Sequence, residues 1–469
     1  MPAPPPTSYK ENQPGAPEAQ SNGWRSANPN DAMLRGKWWE AFGDSELNAL
    51  EEQLIINNQN LKQYFENYMA ARALVQNART SLFPTVSIAP SSSVQGQGSN
   101  SNASATTTGA TTSILTGSGT TQSYSLPVSA SWEPDLFGKV RNTILQQANA
   151  AQVSAANLAN ETLSEQASLA EYYFQLRGQD ALQAIYDLTI QAYRESLQVT
   201  QTRYRTGIAS EQDVAQAESN LRSAEANATS VASTRAQYEH AIALLIGQAA
   251  GNFSLSVRPL NAKPPYIPTG LPSQLLERRP DIAAAERTMA EANALIGVGK
   301  AAYYPDISIS AKGGTQSSDI SKLASLSAGF WSLGASATET LIDFGARRTT
   351  VRQYEAQYRA DVASYRQTVL NAFKEVEDYL VASRRLAEQE QRQQAAITAS
   401  KRYQQLALTR YKTGVDTYLN VLTAQNSVFS SQQTQVTLQT NRMTTAVQLI
   451  AALGGGWSSS DLPSEKEVR

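Results

Sequence analysis

Gly138 to Gly207 reads GKVRNTILQQANAAQVSAANLANETLSEQASLAEYYFQLRGQDALQAIYDLTIQAYRESLQVTQTRYRTG, with no proline and one internal glycine, Gly178. It opens at Phe137-Gly138 and closes at Arg203-Tyr204-Arg205-Thr206-Gly207. A second stretch of equal length lies 207 residues later, from Phe344-Gly345 to Arg410-Tyr411-Lys412-Thr413-Gly414. No insertion or deletion separates the paired markers. A helix filling either interval spans roughly 100 Å, several times the usual globular helix. In the second copy Val351, Tyr354, Tyr358, Val362, Tyr365, Val369, Phe373, Val376 and Leu380 form one row, 29 residues in eight steps. That is about 3.6 residues per step, the period of an almost straight helix rather than a supercoiled rope. The remaining surface is Ala, Gln, Ser, Asn, Thr and Arg, so the helix touches neighbours along narrow seams and meets water elsewhere.

The chain has 469 residues and a net charge of −2, which leaves no basic footprint for nucleic acid. It has no cysteine, so disulfides and thiolate metal sites are excluded. His240 is the only histidine. With no glycine-rich phosphate loop either, an enzyme or a cofactor-binding protein is not expected, and the reading assigns no cofactor and no metal. No run of eighteen apolar residues is present to form a membrane-crossing helix. Met1 to Lys10 is proline-rich without an apolar signal segment. Either the protein is not exported or the numbering starts after processing.

Residues 1–43 read as an extended arm, broken by prolines and pinned by Trp24, Trp38 and Trp39. Helices follow over 44–82, started by the Asp44-Ser45 cap. Residues 83–135 read as a β-hairpin. Val86 and Ile88 begin it, and Tyr124, Leu126, Val128, Ala130 and Trp132 alternate with polar residues. The low-complexity run Ser91 to Gln122 reads as its mobile outer loop. Residues 136–247 give the long helix, a tip turn and a return helix from about Ser210 to Leu245. A proline-rich connector occupies 248–272. Ser273 caps a short turn.

The first segment then repeats at an offset of 221, Phe83-Pro84 matching Tyr304-Pro305. Residues 273–303 are helical again and 304–342 form a second hairpin, with Ile307, Ile309 and Ala311 in one strand and Trp331, Leu333, Ala335 and Ala337 in the other. Residues 343–453 repeat the long helix, turn and return helix, and 454–469 form a tail.

Each half is therefore short helix, hairpin, long helix, turn, short helix. The strands are about nine or ten residues, the length that crosses a bilayer when tilted. Four strands cannot close in lipid without leaving edge groups unpaired at several kcal/mol each, and membrane barrels start at about eight strands. The chain must oligomerise. Three copies give 12 strands and 12 helical columns; two give a narrower barrel filled by side chains.

Trp38-Trp39 with Phe42 to Asp44, Leu136-Phe137-Gly138-Lys139, Arg203 to Gly207, Arg278-Arg279-Pro280-Asp281-Ile282, Arg410 to Asp416 and Leu453-Gly454-Gly455-Gly456-Trp457 occur in this order. Together they resemble the TolC-like outer-membrane efflux factors in their lipoprotein (NodT/OprM-type) branch, over about Trp24 to Trp457. The resemblance implies a mixed α and β membrane protein: a homotrimeric 12-stranded β-barrel continued by a periplasmic α-helical barrel. It implies a passive multidrug exit duct in the outer membrane of a Gram-negative bacterium. The implied partners are a periplasmic membrane-fusion adaptor, an inner-membrane pump of the RND class and outer-membrane lipid. Type I protein secretion or metal-ion efflux is the alternative. A lipidated, palmitate-bearing cysteine at the mature N-terminus is expected of that branch; here Met1 stands at that place.

Both tip sequences put cations and a glycine at a helix end, which the helix dipole and the left-handed cap explain. The resemblance adds contact with the adaptor through Arg205, Thr206, Gly207, Ile208, Lys412, Thr413, Gly414 and Val415. It places an apolar constriction at Leu419, with Thr423 where relatives often carry an aspartate ring. Asp416, Asp213 or Glu211 is then expected to supply charge, pairing with Arg203 or Arg410 beside Tyr411.

Overall fold

The structure is a computed structural model that describes residues 36–96, 120–267 and 275–468. Trp24, most of the expected outer loop, the last residues of the connector and Ser273 lie outside the described residues. The chain divides into two compact units, one of residues 1–71, 150–289 and 361–468, the other of 72–149 and 290–360.

The second unit holds the sheet. Its strands are β1 (Thr85–Ile88), β2 (Ser91–Gly96), β3 (Thr120–Trp132), β4 (Asp306–Ser317) and β5 (Gly329–Thr338). All pairings are antiparallel, in the order β1-β3-β4-β5, with β2 also on β3. Ile88 faces Val128 and Ser91 faces Ser125, so β1 and β2 are one lane in unbroken register. The gap between them is chemical. Ala89 N–H donates to the Pro127 carbonyl at 3.3 Å, but Pro127 has no N–H to return, and the nitrogen of Pro90 faces the outer edge.

This lane corrects the expected loop. Ser91 to Gly96 and Thr120 to Gln122 are strand, because backbone pairing does not require apolar side chains. The longer strands of 13 and 12 residues likewise exceed the expected nine or ten. Opposite Pro127 sits Gly314, where a Cβ would stand 2.2 Å from the Leu126 carbonyl oxygen, so only glycine fits there.

Residues facing each other across an antiparallel pair share a side. One side therefore carries Val86, Ile88, Val128, Trp132, Ile309, Leu333 and Trp331. The other carries Ser87, Ser129, Ser131, Ser308, Ser310, Lys312 and Ser336. Trp331 on the apolar side is 83% exposed. Both outer lanes, β1/β2 and β5, have one paired edge and one free edge among the described residues.

The helices are α1 (Ser45–Asn57), α2 (Gln59–Thr80), α3 (Lys139–Arg205), α4 (Glu211–Leu245), α5 (Leu275–Arg278), α6 (Pro280–Ala301), α7 (Ala346–Lys412), α8 (Tyr418–Ala452) and α9 (Glu465–Val468). α3 and α7 are each 67 residues, about 100 Å at the helical rise. Asp135 starts α3 by accepting from Val140 N–H and Arg141 N–H. Among the described residues no helix is long and apolar enough to cross a membrane.

The core of the first unit gathers Trp38, Trp39 and Phe42 with Leu47 and Leu54 of α1, Tyr173 and Phe174 of α3, Ile242 of α4 and Val447 of α8. Trp38 to Phe42 is a short 3-10 turn buried in this cluster, not extended arm. Each large apolar side chain buried here contributes about 1.5–3 kcal/mol. Asp180 of α3 is fully buried among cations. It accepts from Arg177 at 3.0 Å, Arg235 at 2.6 Å and the Arg258 N–H at 2.9 Å. Arg177 and Arg235 also donate to the carbonyls of Ser256 and Leu255. The connector is thereby bound to α3 and α4 by its own backbone. The tail beyond Gly456 is docked too, with Gln152 donating to the Pro463 carbonyl and Val468 buried.

The duplication reaches single hydrogen bonds. Asn58 donates to the Leu245 carbonyl at 2.9 Å, and Arg279, its counterpart, donates to the Ala452 carbonyl at 3.0 Å. Gly247 and Gly454, both at positive φ, close these joints. A Cβ on Gly247 would lie 2.6 Å from the Asn57 carbonyl oxygen, and one on Gly454 would lie 2.0 Å from that of Arg278. Gly454→Ala should therefore destabilise by well over about 1 kcal/mol. Gly207→Ala, with nothing within 4 Å, carries only the backbone strain and should cost less. Thermal unfolding of the two variants in detergent checks the order.

Glu51 of α1 is fully covered, and neither carboxylate oxygen has a hydrogen-bond partner among the described residues. Burial pushes its carboxyl well above the usual carboxylate range. A carboxyl raised in the folded state opposes folding once pH exceeds its ordinary 4.5. Stability then falls with rising pH until the raised value is passed. Glu51→Gln should raise the thermal midpoint above that window and flatten its pH dependence; an unchanged profile counts against a buried charge.

Candidate functional site

The two helix-hairpin tips belong to the first unit and are built from the same backbone device. At tip one, Ile208 N–H donates to the Arg203 carbonyl at 2.8 Å and Gly207 N–H to that of Tyr204 at 2.9 Å. At tip two, Val415 N–H donates to Arg410 and Gly414 N–H to Tyr411, each at 3.0 Å. Gly207 and Gly414 stand at φ of 73° and 78°, the left-handed cap that ends a helix after its last turn. Arg203, Arg205, Arg410 and Lys412 fall in those last turns, where cations offset the helix dipole. Thr206 and Thr413 turn their hydroxyls back onto the carbonyls of Arg203 and Arg410.

Beyond the glycines the tips differ. At tip one Ser210 and Asp213 close a capping box: Ser210 N–H donates to the Asp213 carboxylate at 3.0 Å, and Asp213 N–H to Ser210 Oγ at 3.1 Å. Asp213 is thus occupied by its own helix start instead of pairing with Arg203 or Arg410. At tip two Asp416 accepts from Arg410 Nε at 3.2 Å, from Thr417 N–H at 2.9 Å and from Asn420 Nδ2 at 2.5 Å. Of the alternative pairings expected, that of Asp416 with Arg410 is present. Asn420, then the Thr417 amide and Arg410, hold its carboxyl below the ordinary 3.8.

Among the described residues Arg203 meets no carboxylate. Its guanidinium lies 4.3 Å from the centroid of the Tyr411 ring and donates to the Tyr411 carbonyl at 2.8 Å. Tyr411 is buried, packed with Tyr418, Val421 and Ala217. Leu419 is 63% exposed, one turn before Thr423, whose hydroxyl returns to the Leu419 carbonyl. Ile208 and Val415 are exposed at the turns, and so is Glu211.

A polar seam along α3 and α8 escaped the sequence reading. Tyr193 donates to Asn426 Oδ1 at 2.7 Å, Gln433 donates to the Tyr186 hydroxyl at 2.9 Å, and Ser196 Oγ donates to the Tyr418 hydroxyl at 3.1 Å. Burial pushes the Tyr193 phenol up to about 12 and raises that of Tyr418. Tyr186 and Tyr193 are two turns apart on one face, a spacing that could have marked the seam. Among the described residues no group of acidic, histidine or cysteine side chains could hold a metal ion.

A family model for outer membrane efflux proteins matches residues 50–248 and 271–455. The chain belongs to that family. The efflux protein is 33% identical over 425 residues to the probable efflux pump outer membrane protein TtgC of Pseudomonas putida KT2440, covering 90% of this chain and 85% of that one. It is 31% identical over 452 residues to the solvent efflux pump outer membrane protein SrpC of Pseudomonas putida, covering 95% and 92%. A solved structure of the outer-membrane channel OprN matches with a TM-score of 0.82 at 28% identity, over 95% of this chain and 99% of that one. The efflux protein is accordingly an outer-membrane component of an efflux pump, located in the outer membrane and extending into the periplasm.

A depressed carboxyl keeps its bonds above its ordinary value and loses them as pH falls through the depressed one. The Asp416 clamp should thus survive acidification to 3.8. Single-channel recording across that range should show a conductance step only below it, and Asp416→Asn should abolish the step.

Proposed function

We propose that three copies of this chain form a passive exit duct, closing a 12-stranded barrel and continuing it as a helical wall through the periplasm. The observation that carries the reading is a four-lane sheet, apolar on one side and hydroxyl-rich on the other, whose two outer lanes each have a free edge among the described residues. In hydrocarbon such edges demand further strands, and sister copies supply them. Serine on the inner side suits a water-filled lumen.

The duct uses no energy of its own. A periplasmic adaptor docks on the tips around Arg205 to Ile208 and Lys412 to Val415, and an inner-membrane pump of the RND class drives the cargo. That cargo is small toxic compounds, chosen by the pump. By their names SrpC belongs to a solvent efflux pump and TtgC to a probable efflux pump. The gate lies at tip two. Leu419 of the copies forms an apolar ring, Thr423 lines the next turn, and Asp416 holds α8 against α7 through Arg410 and Asn420.

Purified in detergent, the protein should have the mass of three chains and should conduct ions in a planar bilayer. Leu419→Ala and Asp416→Ala should each raise single-channel conductance. A detergent-independent monomer would sink the duct, and unchanged conductance in both variants would remove these residues from the gate.

A further inference from the structure

Within one chain, α3 and the second tip are joined near the turn by two contacts of distinct chemistry. Arg203 stacks on Tyr411 and donates to its carbonyl. Ser196 hydrogen-bonds Tyr418. The sequence repeats at an offset of 207, so α7 is the counterpart of α3, and α4 that of α8. Moving each residue to its counterpart turns Arg203–Tyr411 into Arg410–Tyr204 and Ser196–Tyr418 into Tyr403–Glu211.

The chemistry survives the move. An arginine again meets a tyrosine. A hydroxyl again meets a polar partner, with the larger side chain now on the other helix. Tyr204 also presents its carbonyl as Tyr411 does: each accepts one N–H, from Gly207 and Gly414 respectively, and a carbonyl oxygen has a second lone pair. Arg410 spends Nε on Asp416, which leaves its terminal nitrogens for a further acceptor.

Burial tells the two sets apart. Tyr411 is 6% exposed and Tyr418 3%, whereas Tyr204 is 46% and Tyr403 44%, and Glu211 and Arg410 are exposed as well. Exposed arginine, glutamate and tyrosine on a helix surface are usually just a solvated face. Here all four are counterparts of residues that make a defined contact. The correspondence is confined to the tip. Farther along, Gly178 lets α3 approach Thr440, where a Cβ would lie 2.3 Å from its hydroxyl oxygen. The counterparts there, Arg385 and Ser233, are too bulky for that approach.

We infer that Arg410 and Tyr403 of one copy seat on Tyr204 and Glu211 of the next, so that the tip contact made once inside each chain is made again between chains. The inference rests on the trimeric reading and names the surface that closes the ring at its periplasmic end. The guanidinium covers the Tyr204 ring and donates to its carbonyl, and the Tyr403 hydroxyl donates to the Glu211 carboxylate.

The 469 residues contain no cysteine, which makes the test clean. A variant carrying both Tyr403→Cys and Glu211→Cys, purified in detergent, is treated with a short bis-maleimide. Covalent dimers and trimers should form, and neither single variant should yield them. A trimer by native mass that gives no cross-linked product overturns this seam while leaving the duct intact; a monomer overturns both. A second measurement keeps the side chains themselves in question. Arg410→Ala and Tyr204→Ala should each lower the temperature at which the trimer dissociates, and together lower it no further than the more damaging one. Fully additive losses would show that the two residues do not meet.

Discussion

A strand edge in hydrocarbon has no water to satisfy its N–H and C=O groups, and each orphan costs several kcal/mol. That cost governs this chain. Its sheet is amphipathic across four lanes, yet among the described residues β1/β2 and β5 each leave one edge unpaired. Every neighbouring pair is antiparallel, so with four lanes the two outer ones run in opposite senses. The β5 edge of one copy can therefore join the β1/β2 edge of the next with the antiparallel pattern already used inside the chain. An odd number of lanes would have forced a parallel junction. Pro127 removes a donor between β1/β2 and β3, whereas Pro90, next to Ala89 whose N–H points at β3, removes one from the outer edge itself, and Gly314 gives the backbone room beside Pro127.

The first unit solves a different problem, holding long, mostly wetted helices in register with few apolar contacts per turn. It concentrates its binding at fixed stations. Asp180 gathers Arg177, Arg235 and the connector backbone at one buried point. An unpaired charge there would be strongly destabilising, but three donors satisfy it. The helix-end glycines make two more stations, Gly247 against Asn57 and Gly454 against Arg278. Between the stations, single hydroxyl and amide bonds such as Tyr193 to Asn426 are enough to set how α8 lies along α3.

The long helices, the duplication and the hairpin alternation were legible in the sequence because each is periodic: 3.6 for the helices, two for the strands, and an exact spacing for the repeat. The first lane was only half legible. Ser91 to Gly96 carries no apolar face, and low-complexity composition cannot reveal a strand whose partner is already fixed by β3. At the tips the glycines and cations were readable from helix-end rules, whereas Asp416 with Arg410 was only one of several carboxylate–arginine pairings left open. The seizure of Asp213 by Ser210 was not readable, because a carboxylate near a helix start is equally able to cap or to pair. The Tyr186, Tyr193 and Tyr418 bonds were invisible for a related reason: an aromatic on a helix says that something covers it, not which helix does.

The divergence of the two tips follows from what each must do after the chain turns. Tip one ends in a capping box that uses only its own helix start, so the first turn of α4 is fixed locally, and α4 meets α3 farther along, through Leu221, Ala224 and Val231. Tip two has Asp416 where tip one has Ala209. That single carboxylate ties the last turn of α7 to the first turn of α8 through Arg410 and Asn420. Both of its side-chain partners are exposed polar groups, so its bonds exchange readily with water and their net worth is small. A clamp of that kind can be released by a modest competing contact, whereas a backbone cap cannot. If α8 is the helix that narrows the mouth, the weaker joint sits on the element that has to move, and the stronger one on the element that only has to stand.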